Sequence, residues 1–425
     1  MIFTIIILAL VGAVAFFHYV QGFFSAAISA LLVVLAAMMA VSYHEPLTNV
    51  LLAGKMADQG LAISLTAIFA SVYIVLRLVF DKLIPGNVRL PVIADKVGAA
   101  VMGLVAGVYA VGVVAIAAQT LPFGPSIAGY SRYPLADRRE VVMPALPGRD
   151  QRRDGFIEDE LDVLSLTDTA PRKLVIPVDD IVLGTAAMLS SDIGSMAGAR
   201  PLASIHPDYL QELFGARIGI QVGANRTALN QEGRTEQVTV EGAFRLDSAG
   251  QADQEPEWIR QGGTRQELAS TLRPGGNQVI LVVRTVFHKG AEDTADRLFR
   301  FSSASARLVA AGKNYFPIGT FDGGRVWATK PDDFLFVDLS KEDRGADLVY
   351  LIEYGDAVIP DDTGDKELIA PGVFLEVKRM GRVDLSGMLV EKRAIPGDNV
   401  GVLRKPDAKP KEPAKPARAG ATEAR

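Results

Sequence analysis

The chain has no cysteine and only four histidines among its 425 residues. Without cysteine it forms no disulfide bonds, thiolate zinc sites or cysteine nucleophiles, although this absence does not identify the cellular compartment. The formal net charge of -5 gives no basic excess, so we expect no nucleic acid partner. A chain of this length is too long to fold around one hydrophobic core, so we expect two or more structural units.

Common catalytic motifs are also missing. The sequence contains no P-loop, no HExxH, no dinucleotide-binding glycine pattern and no GxSxG. His18 and His44 belong to the apolar half of the chain, and His206 and His288 have no obvious serine partner for a catalytic triad. The sequence therefore predicts no catalytic residue, no bound cofactor and no enzymatic activity.

Two other groups of residues could bind a ligand, but each has a simpler interpretation. Residues 361–365, together with Glu367, cluster the carboxylates that Ca²⁺ prefers, yet they lack EF-hand spacing, and we predict an acidic turn and no metal site. The aromatic residues could form a binding face, although sandwich aromatics usually belong to the core. These aromatic residues are Trp258, Tyr315, Phe316 and Trp327.

Apolar sequence is abundant in the first 120 residues, which consist mostly of Ala, Val, Ile, Leu, Phe and Gly. A membrane-spanning helix needs about 20 such residues, because the hydrocarbon core is about 30 Å thick and a helix rises about 1.5 Å per residue. Four stretches satisfy this requirement: residues 2–20, 23–41, 61–80 and 92–118. The alternative is a set of buried helices in a soluble protein, which would require an unusually large apolar core.

The distribution of Lys and Arg predicts how these spans are oriented. Four cations surround the link between the third and fourth spans, whereas the link between the second and third spans carries only Lys55. Cytoplasmic loops are enriched in Lys and Arg, so the third link is expected in the cytoplasm and both termini outside. The four cations are Arg77, Lys82, Arg89 and Lys96.

The fourth span carries small residues on one side. Ala99, Gly103, Gly107 and Ala110 recur at helical intervals. In lipid, small residues let two helix backbones approach closely, so this side predicts a helix interface, either within the bundle or between protomers. Asp95 lies near the start of the span, where a charge is costly and often functional; a solvated helix start is the simpler interpretation.

Two short motifs in this half carry a family resemblance. One is Gly22-Phe23-Phe24 before a helix rich in small residues, and the other is LPVIADKVG at residues 90–98, which includes Asp95 and Gly98. With four spans in the first 120 residues, they resemble the colicin V production (CvpA) family of bacterial inner-membrane proteins. This chain departs from the family at Gln21, where the family has a basic residue, and it lacks the family's acidic residue near the first span.

The resemblance implies a membrane protein linked to toxin production or export, with no known active site. Some relatives fuse the same spans to an extracytoplasmic serine protease, which keeps a membrane-anchored hydrolase as an alternative. The motifs of such a protease are missing from this chain.

The remaining sequence predicts a linker, short helices and a β-rich domain. Helices are expected at residues 178–196 and 207–214, the second ended by Gly215. Alternating residues then predict short strands separated by turns, which is typical of an antiparallel, immunoglobulin-like sandwich. The predicted strands are residues 217–222, 237–241, 278–287, 305–310, 334–339, 348–353 and 373–377.

The predicted organisation is therefore a multi-domain membrane protein. It comprises a four-span transmembrane bundle at residues 1–119, a linker with short helices at 120–215, a β-sandwich-like extracytoplasmic domain at 216–385 and a disordered tail at 386–425.

We interpret the chain as a non-enzymatic protein of the bacterial inner membrane, with a role in toxin production, export or envelope maintenance. Its expected partners are membrane lipid, a second copy or another membrane protein bound through the small-residue faces, and an unknown extracytoplasmic partner. An oligomeric transport component or channel is the alternative. It would need polar residues along a pathway, and the spans offer few. Those polar residues are Ser25, Ser29, Ser64, Thr66 and Ser71.

Overall fold

The structure of the chain is a computed structural model. The residues that it describes are 2–52, 59–84, 91–134, 139–142, 154–157, 165–167, 169–197, 202–221, 237–247, 258–261, 265–268, 277–288, 291, 297–322, 325–332, 334–342, 344–361, 364, 366–378 and 382–394.

Four long helices form the N-terminal part of the chain. They are α1 (Ile2–Gln21), α2 (Phe23–Leu47), α3 (Gly60–Leu83) and α4 (Val92–Thr120). All four are long and apolar enough to cross a membrane. The four predicted spans are thereby confirmed as helices, each longer than its prediction by one to a few residues. A π-helical turn, Thr48–Leu52, follows α2 just after Pro46, which cannot donate a backbone hydrogen bond.

The interior of the bundle is built from small residues. Ala26, Ala36 and Ala40 of α2 and Ala106 of α4 are fully or almost fully buried. Because α4 contacts the other three helices, it is the central element of the bundle. Many large apolar side chains of α1 and α3 are instead directed outward, an arrangement that suits a hydrocarbon surrounding, whereas Phe3, Ile7 and Leu65 are buried.

Three further helices lie between the bundle and the β-rich region: α5 (Val178–Ala197), α6 (Leu202–Ile205) and α7 (Tyr209–Gln221). One side of α7 packs through Leu210 and Leu213 against the ends of α2, α3 and α4. Its other side reaches a 3₁₀ turn of the β-rich region, Ser303–Ser305. The helix thus connects the two parts of the molecule.

The prediction for α7 was wrong in two respects. Gly215 does not end the helix, and residues 217–221 are helical rather than a strand. A β-carbon on Gly215 would lie 2.1 Å from the Ala304 carbonyl oxygen, so glycine is needed here for close approach to the 3₁₀ turn. Leu210, Leu213, Phe214 and Ile218 are buried at helical spacing, and this packing overrides the local alternation.

The C-terminal part is rich in β-structure. A ten-stranded sheet has the order β14-β15-β18-β3-β6-β13-β10-β11-β5-β4, and smaller sheets pair β12 with β7 and join β17-β16-β8-β9. An additional hairpin, β1–β2, precedes α5. The strands are β1 (Arg139–Val142), β2 (Asp154–Ile157), β3 (Val238–Asp247), β4 (Trp258–Gln261), β5 (Arg265–Leu268), β6 (Gln278–Phe287), β7 (Leu298–Ser302), β8 (Ala306–Ala310), β9 (Lys313–Tyr315), β10 (Gly319–Asp322), β11 (Arg325–Ala328), β12 (Phe334–Asp338), β13 (Gly345–Glu353), β14 (Val358–Pro360), β15 (Glu367–Ile369), β16 (Phe374–Val377), β17 (Arg382–Asp384) and β18 (Leu389–Ala394).

The other six predicted strands are confirmed, and β6 has the predicted bounds. One feature departs from an all-antiparallel arrangement: β18 pairs with β3 in parallel. Strand β18 lies inside the segment that was predicted to be a disordered tail, so that prediction was wrong for Leu389–Ala394. The strand is ordered because Val390 is buried in the main core of the β-rich region. The rest of the predicted tail, from residue 395 onward, lies outside the described residues.

Candidate functional site at the junction of the helices and the β-rich region

Six charged side chains meet where the bundle, α7 and the β-rich region come together. We call them the junction cluster. They are Glu45 of α2, His206 after α6, Glu212 of α7, Arg307 of β8, Glu376 of β16 and Arg382 of β17. They come from the bundle, from α7 and the turn before it, and from the β-rich region, so the complete cluster exists only when these parts are assembled.

His206 lies between two carboxylates. Its Nδ1 is 2.6 Å from Glu212 Oε2, and its Nε2 is 3.1 Å from Glu45 Oε2. Carboxylates only accept hydrogen bonds, so these two contacts favour the protonated imidazole. Arg382 Nη2 also lies 3.1 Å from Nε2, so Glu45 and Arg382 share this side of the ring. Burial alone would lower the pKa of His206, but the charges of Glu45 and Glu212 outweigh it and raise that pKa to about 9. His206 is therefore a cation at neutral pH.

Arg307 links α7 to two strands of the β-rich region. Its Nη1 donates to Glu212 Oε1 at 2.7 Å and to Asn314 Oδ1 at 2.9 Å, and its Nη2 donates to Glu376 Oε2 at 3.0 Å. Arg382 donates from Nε to the same Glu376 oxygen at 3.1 Å. The cations His206, Arg307 and Arg382 thus balance the anions Glu45, Glu212 and Glu376, which is the condition for burying charge without a large penalty.

Aromatic rings close the sides of the junction cluster. Tyr209 meets the His206 ring edge-on at 5.3 Å between centroids, and its hydroxyl contacts His44 Nε2. The Phe374 ring lies under the guanidinium groups of Arg307 and Arg382, at 5.9 and 5.7 Å. Such apolar walls exclude water and strengthen the ion pairs inside them.

A second polar group lies beside the C-terminus of α4. Arg132 is buried, and its Nη2 lies 3.1 Å from Asp180 Oδ1 and 3.8 Å from Asp208 Oδ1. Gln119 donates to Asp179 Oδ2 at 2.8 Å. Burial raises the pKa of the Asp179 and Asp208 carboxyls above the ordinary value. These contacts attach the loop after α4 to the starts of α5 and α7.

The family-motif residues come together at the other end of the bundle. Asp95 Oδ1 accepts a hydrogen bond of 2.9 Å from the Phe23 backbone N–H, so it caps the N-terminus of α2. Gly22 has a φ of 97°, and a β-carbon there would lie 3.1 Å from Asp95 Oδ2. Gly98 faces the Phe23 ring, where a β-carbon would be only 2.4 Å away. Each motif residue therefore contacts the other motif.

The small residues of α4 face helices of the same chain. A β-carbon on Gly103 would lie 2.9 Å from the Ala15 carbonyl oxygen, and one on Gly107 would lie 3.0 Å from the Val11 carbonyl oxygen. Ala99 is fully buried. Ala110 packs with the buried cluster that α2 and α4 share. The interface that this side forms in the structure is within the bundle.

Where the structure describes them, the remaining candidate residues form no site. Tyr315 and Phe316 are buried in the core, as the simpler interpretation predicted, whereas the side chains of Trp258 and Trp327 are outside the described set. Part of the acidic segment 361–365 also lies outside it. Within the described ranges, no group of His, Asp or Glu residues could hold a metal ion. His288 contacts the Thr239 hydroxyl at 2.9 Å.

Sequence reasoning missed most of the junction cluster. Only His206 was considered, and then as a possible catalytic base. One signal was available: Glu45 is the only carboxylate in the first 57 residues, and it lies at the end of an apolar helix. Such a charge at the end of a span needs either water or a partner. Nothing in the local sequence of Arg307 or Glu376 indicates burial.

Comparison of the chain with protein-family models, with curated proteins and with solved structures finds no match.

Proposed function

We propose that the chain is a non-enzymatic integral membrane protein whose four helices hold a partner-binding, β-rich region directly against the membrane. The junction cluster is the observation that carries this proposal. It joins the end of α2 to α7, β8, β16 and β17 through ion pairs, of which Arg307 with Glu212 and Arg307 with Glu376 are buried. A region attached in this way is presented in a fixed orientation rather than on a flexible tether.

Membrane insertion is supported by the distribution of side chains on the bundle. Ile5, Phe16 and Leu78 are 64, 67 and 59% exposed, although each lies within an apolar helix. Contiguous apolar surface of this kind is unfavourable in water and favourable in hydrocarbon. The small residues inside the bundle supply the close helix contacts that association in lipid requires.

The proposed sidedness follows from where the cations lie. Lys82 in the last turn of α3 and Lys96 in the second turn of α4 are at one end of the bundle, and the β-rich region is at the opposite end. By the positive-inside rule, the cation-bearing end is cytoplasmic and the β-rich region is extracytoplasmic. We assign the chain to the bacterial inner membrane on this basis and on its resemblance to the colicin V production family.

The proposed biological role is in toxin production or export, or in envelope maintenance, as that resemblance implies. The hydrogen bond between the Phe23 backbone N–H and Asp95 supports the resemblance to that family, because it joins the two sequence motifs directly. For the β-rich region we propose an immunoglobulin-like sandwich that binds an envelope partner. Val283, Phe301 and Leu375 come from three different sheets and share one core, which supports a layered arrangement.

Self-association, a transport pathway and a hydrolase stay predictions. The small-residue side of α4 is covered by α1, so a second copy would have to use other faces. Ser25 and Ser29 accept hydrogen bonds from Arg77 of α3, and Ser64 accepts one from Thr48. These hydroxyls connect helices within the bundle, which gives the transport alternative no specific support.

Topology is the first test of the proposal. The full chain should remain in the membrane fraction after alkaline carbonate extraction, and trypsin added to intact spheroplasts should cut its β-rich region. Protection of that region in spheroplasts, with cleavage only after lysis, would reverse the proposed orientation. Recovery of the chain as a detergent-free monomer would overturn membrane insertion.

Rigid attachment is tested by the Arg307→Gln variant. Removing one partner from a buried ion network typically costs about 3–5 kcal/mol, because the remaining charges stay buried without compensation. We expect the variant to release the β-rich region by limited proteolysis much faster than the wild type. Lys313→Gln is the matched control, since the exposed Lys313 pairs with Glu353 and Asp356 at the surface, where such pairs contribute about 0–1 kcal/mol. Equal proteolysis of both variants would contradict rigid attachment.

A further inference from the structure

A groove of about 460 Å³ lies between the end of α1 and the start of α4. Its walls are Tyr19 of α1 and one side of α4 that includes Val92, Ile93, Lys96, Val97 and Val101. This side of α4 extends over ten residues, from Val92 to Val101, or about 13.5 Å at the helical rise of about 1.5 Å per residue. The groove is long and apolar, with one charged group in its wall.

We propose that this groove binds a phospholipid with an anionic headgroup, with an acyl chain along α4 and the headgroup phosphate at Lys96. The proposal rests on the membrane insertion argued above and goes beyond it by naming a lipid class and a site. In a bilayer an apolar groove on the outside of the bundle is filled by lipid or by another helix. We choose an anionic lipid because Lys96 places a positive charge in the wall of the groove.

Lys96 is held in place yet keeps the capacity to bind an anion. Its Nζ donates to the Tyr19 backbone carbonyl at 3.1 Å and lies 5.1 Å from the centre of the Tyr19 ring. That carbonyl belongs to the last turn of α1, where helix carbonyls lack partners within the helix. A lysine ammonium has three donors, so two remain for phosphate oxygens.

No carboxylate neutralises Lys96 within the described part of the chain. The adjacent Asp95 is directed away, toward the Phe23 N–H and Gly22 at the start of α2. Arg77, which lies on α3, contacts Asp81 and two serines of α2. The positive charge at the groove is therefore available to a ligand.

The apolar wall is exposed to an unusual degree. Ile93 is 80% exposed and Val92 is 75% exposed, and both lie within the first helical turn of α4. The exposed strip continues through Val97 and Val101 toward the centre of the span. An acyl chain that followed this strip would start at the level of the Lys96 ammonium, which is the order of headgroup and tail in a phospholipid.

The test uses the full chain in nanodiscs that contain equal amounts of phosphatidylcholine and phosphatidylglycerol. In parallel samples, one of the two lipids carries a photoactivatable group on its acyl chain, and cross-linked residues are identified by mass spectrometry. The wild type should cross-link phosphatidylglycerol within residues 92–101 about fivefold more than phosphatidylcholine, the ratio expected when one lysine contributes ~1 kcal/mol toward an anionic lipid.

Three variants identify the groups responsible. Lys96→Gln should lose the preference for phosphatidylglycerol, Lys96→Arg should keep it, and Val97→Trp should block labelling in the groove while leaving the charge in place. Lys82→Gln is the matched control, because Lys82 is an exposed cation at the same end of the bundle and outside the groove. It should behave as the wild type.

The possible outcomes separate this site from the proposed function. Equal labelling by the two lipids, or the same loss in Lys82→Gln as in Lys96→Gln, would overturn the anionic site while leaving membrane insertion intact. A cross-link between two copies of the chain at residues 92–101 would show that a second copy covers the groove, and would also overturn it. Failure of the chain to enter nanodiscs would instead refute membrane insertion itself.

Discussion

In the helical bundle the interior is lined largely by alanine and glycine and many large side chains point outward, whereas the β-rich region buries several large aromatic residues. Ala36 and Ala37 are completely buried in α2, while Phe16 and Phe17 of α1 are largely exposed. In the β-rich region Phe299 and Phe301 are completely buried. The same residue type therefore occupies opposite positions in the two parts.

The difference indicates two different surroundings. In water, burying large apolar side chains is the dominant favourable contribution to folding, and the β-rich region follows that rule. In hydrocarbon a phenylalanine gains little by moving from lipid to the protein interior, so close backbone packing decides which residues lie inside. Three predictions test this contrast.

The largest effect is expected from Phe301→Ala in the β-rich region. Phe301 packs against Phe287 and Phe299 with ring centroids 5.6 and 5.5 Å apart. Removing such a buried ring typically costs about 3–5 kcal/mol. Both tryptophans of the chain, Trp258 and Trp327, lie on strands of this region, so denaturant unfolding followed by tryptophan fluorescence measures its stability alone.

Phe16→Ala is the matched control for that ring. Because Phe16 lies in α1, its effect is measured on the bundle by thermal unfolding in detergent followed by helical circular dichroism, and we expect the wild-type melting temperature. A loss of stability in Phe16→Ala as large as in Phe301→Ala would remove the contrast between the two parts.

A smaller effect is expected when the pH is raised, because the junction cluster then loses stabilisation on the order of 3 kcal/mol. The pKa of His206 is raised to about 9 in the folded chain, whereas an unfolded histidine titrates near 6.5. Because the folded pKa is the higher one, the stabilisation is fully present below about pH 6.5 and is lost as pH rises through about 9. The fluorescence-detected midpoint should therefore fall over this interval.

The pH effect should disappear in His206→Gln, which keeps hydrogen bonding but cannot carry the charge. His288→Gln is the control, because His288 lies elsewhere in the β-rich region and contacts Thr239. If His206→Gln retained the wild-type pH dependence, another group would be responsible and the assigned role of His206 would be wrong.

The smallest effect is expected from Gly107→Leu in the bundle. A side chain at this position meets the Val11 backbone of α1, and overpacking of this kind typically costs about 1–3 kcal/mol. Gly12→Leu is the control, since a β-carbon there meets nothing within 4 Å. Thermal unfolding in detergent, followed by helical circular dichroism, should separate the two. Equal destabilisation would show that residue size alone, and not the contact with α1, matters.

Much of the fold can be predicted because its signals are local. A span is recognised from about 20 consecutive apolar residues, and strands such as β6 are recognised from short runs rich in valine and isoleucine. The error at α7 shows the limit of such signals. Residues 217–222 alternate as a strand would, but the contacts of Gly215 and Gly219 with the 3₁₀ turn decide for a helix.

The junction cluster could not be predicted, because the pairs that connect its different elements combine residues that are remote in sequence. Glu45 and His206 are 161 residues apart, and Arg307 and Glu376 are 69 apart. Taken alone, each is an ordinary charged residue that would be assigned to a solvated surface. Burial follows only from the docking of α7 between the bundle and the sheets.

The order of chain synthesis gives the junction cluster a further consequence. Glu45 leaves the ribosome early, whereas Glu376 and Arg382 are made more than 300 residues later. Until β16 and β17 emerge, the site of Arg307 lacks one of its two carboxylates. A nascent or truncated chain thus carries unbalanced charge at the point where its two halves must dock. We therefore expect the two halves to dock stably only after β16 and β17 have been made.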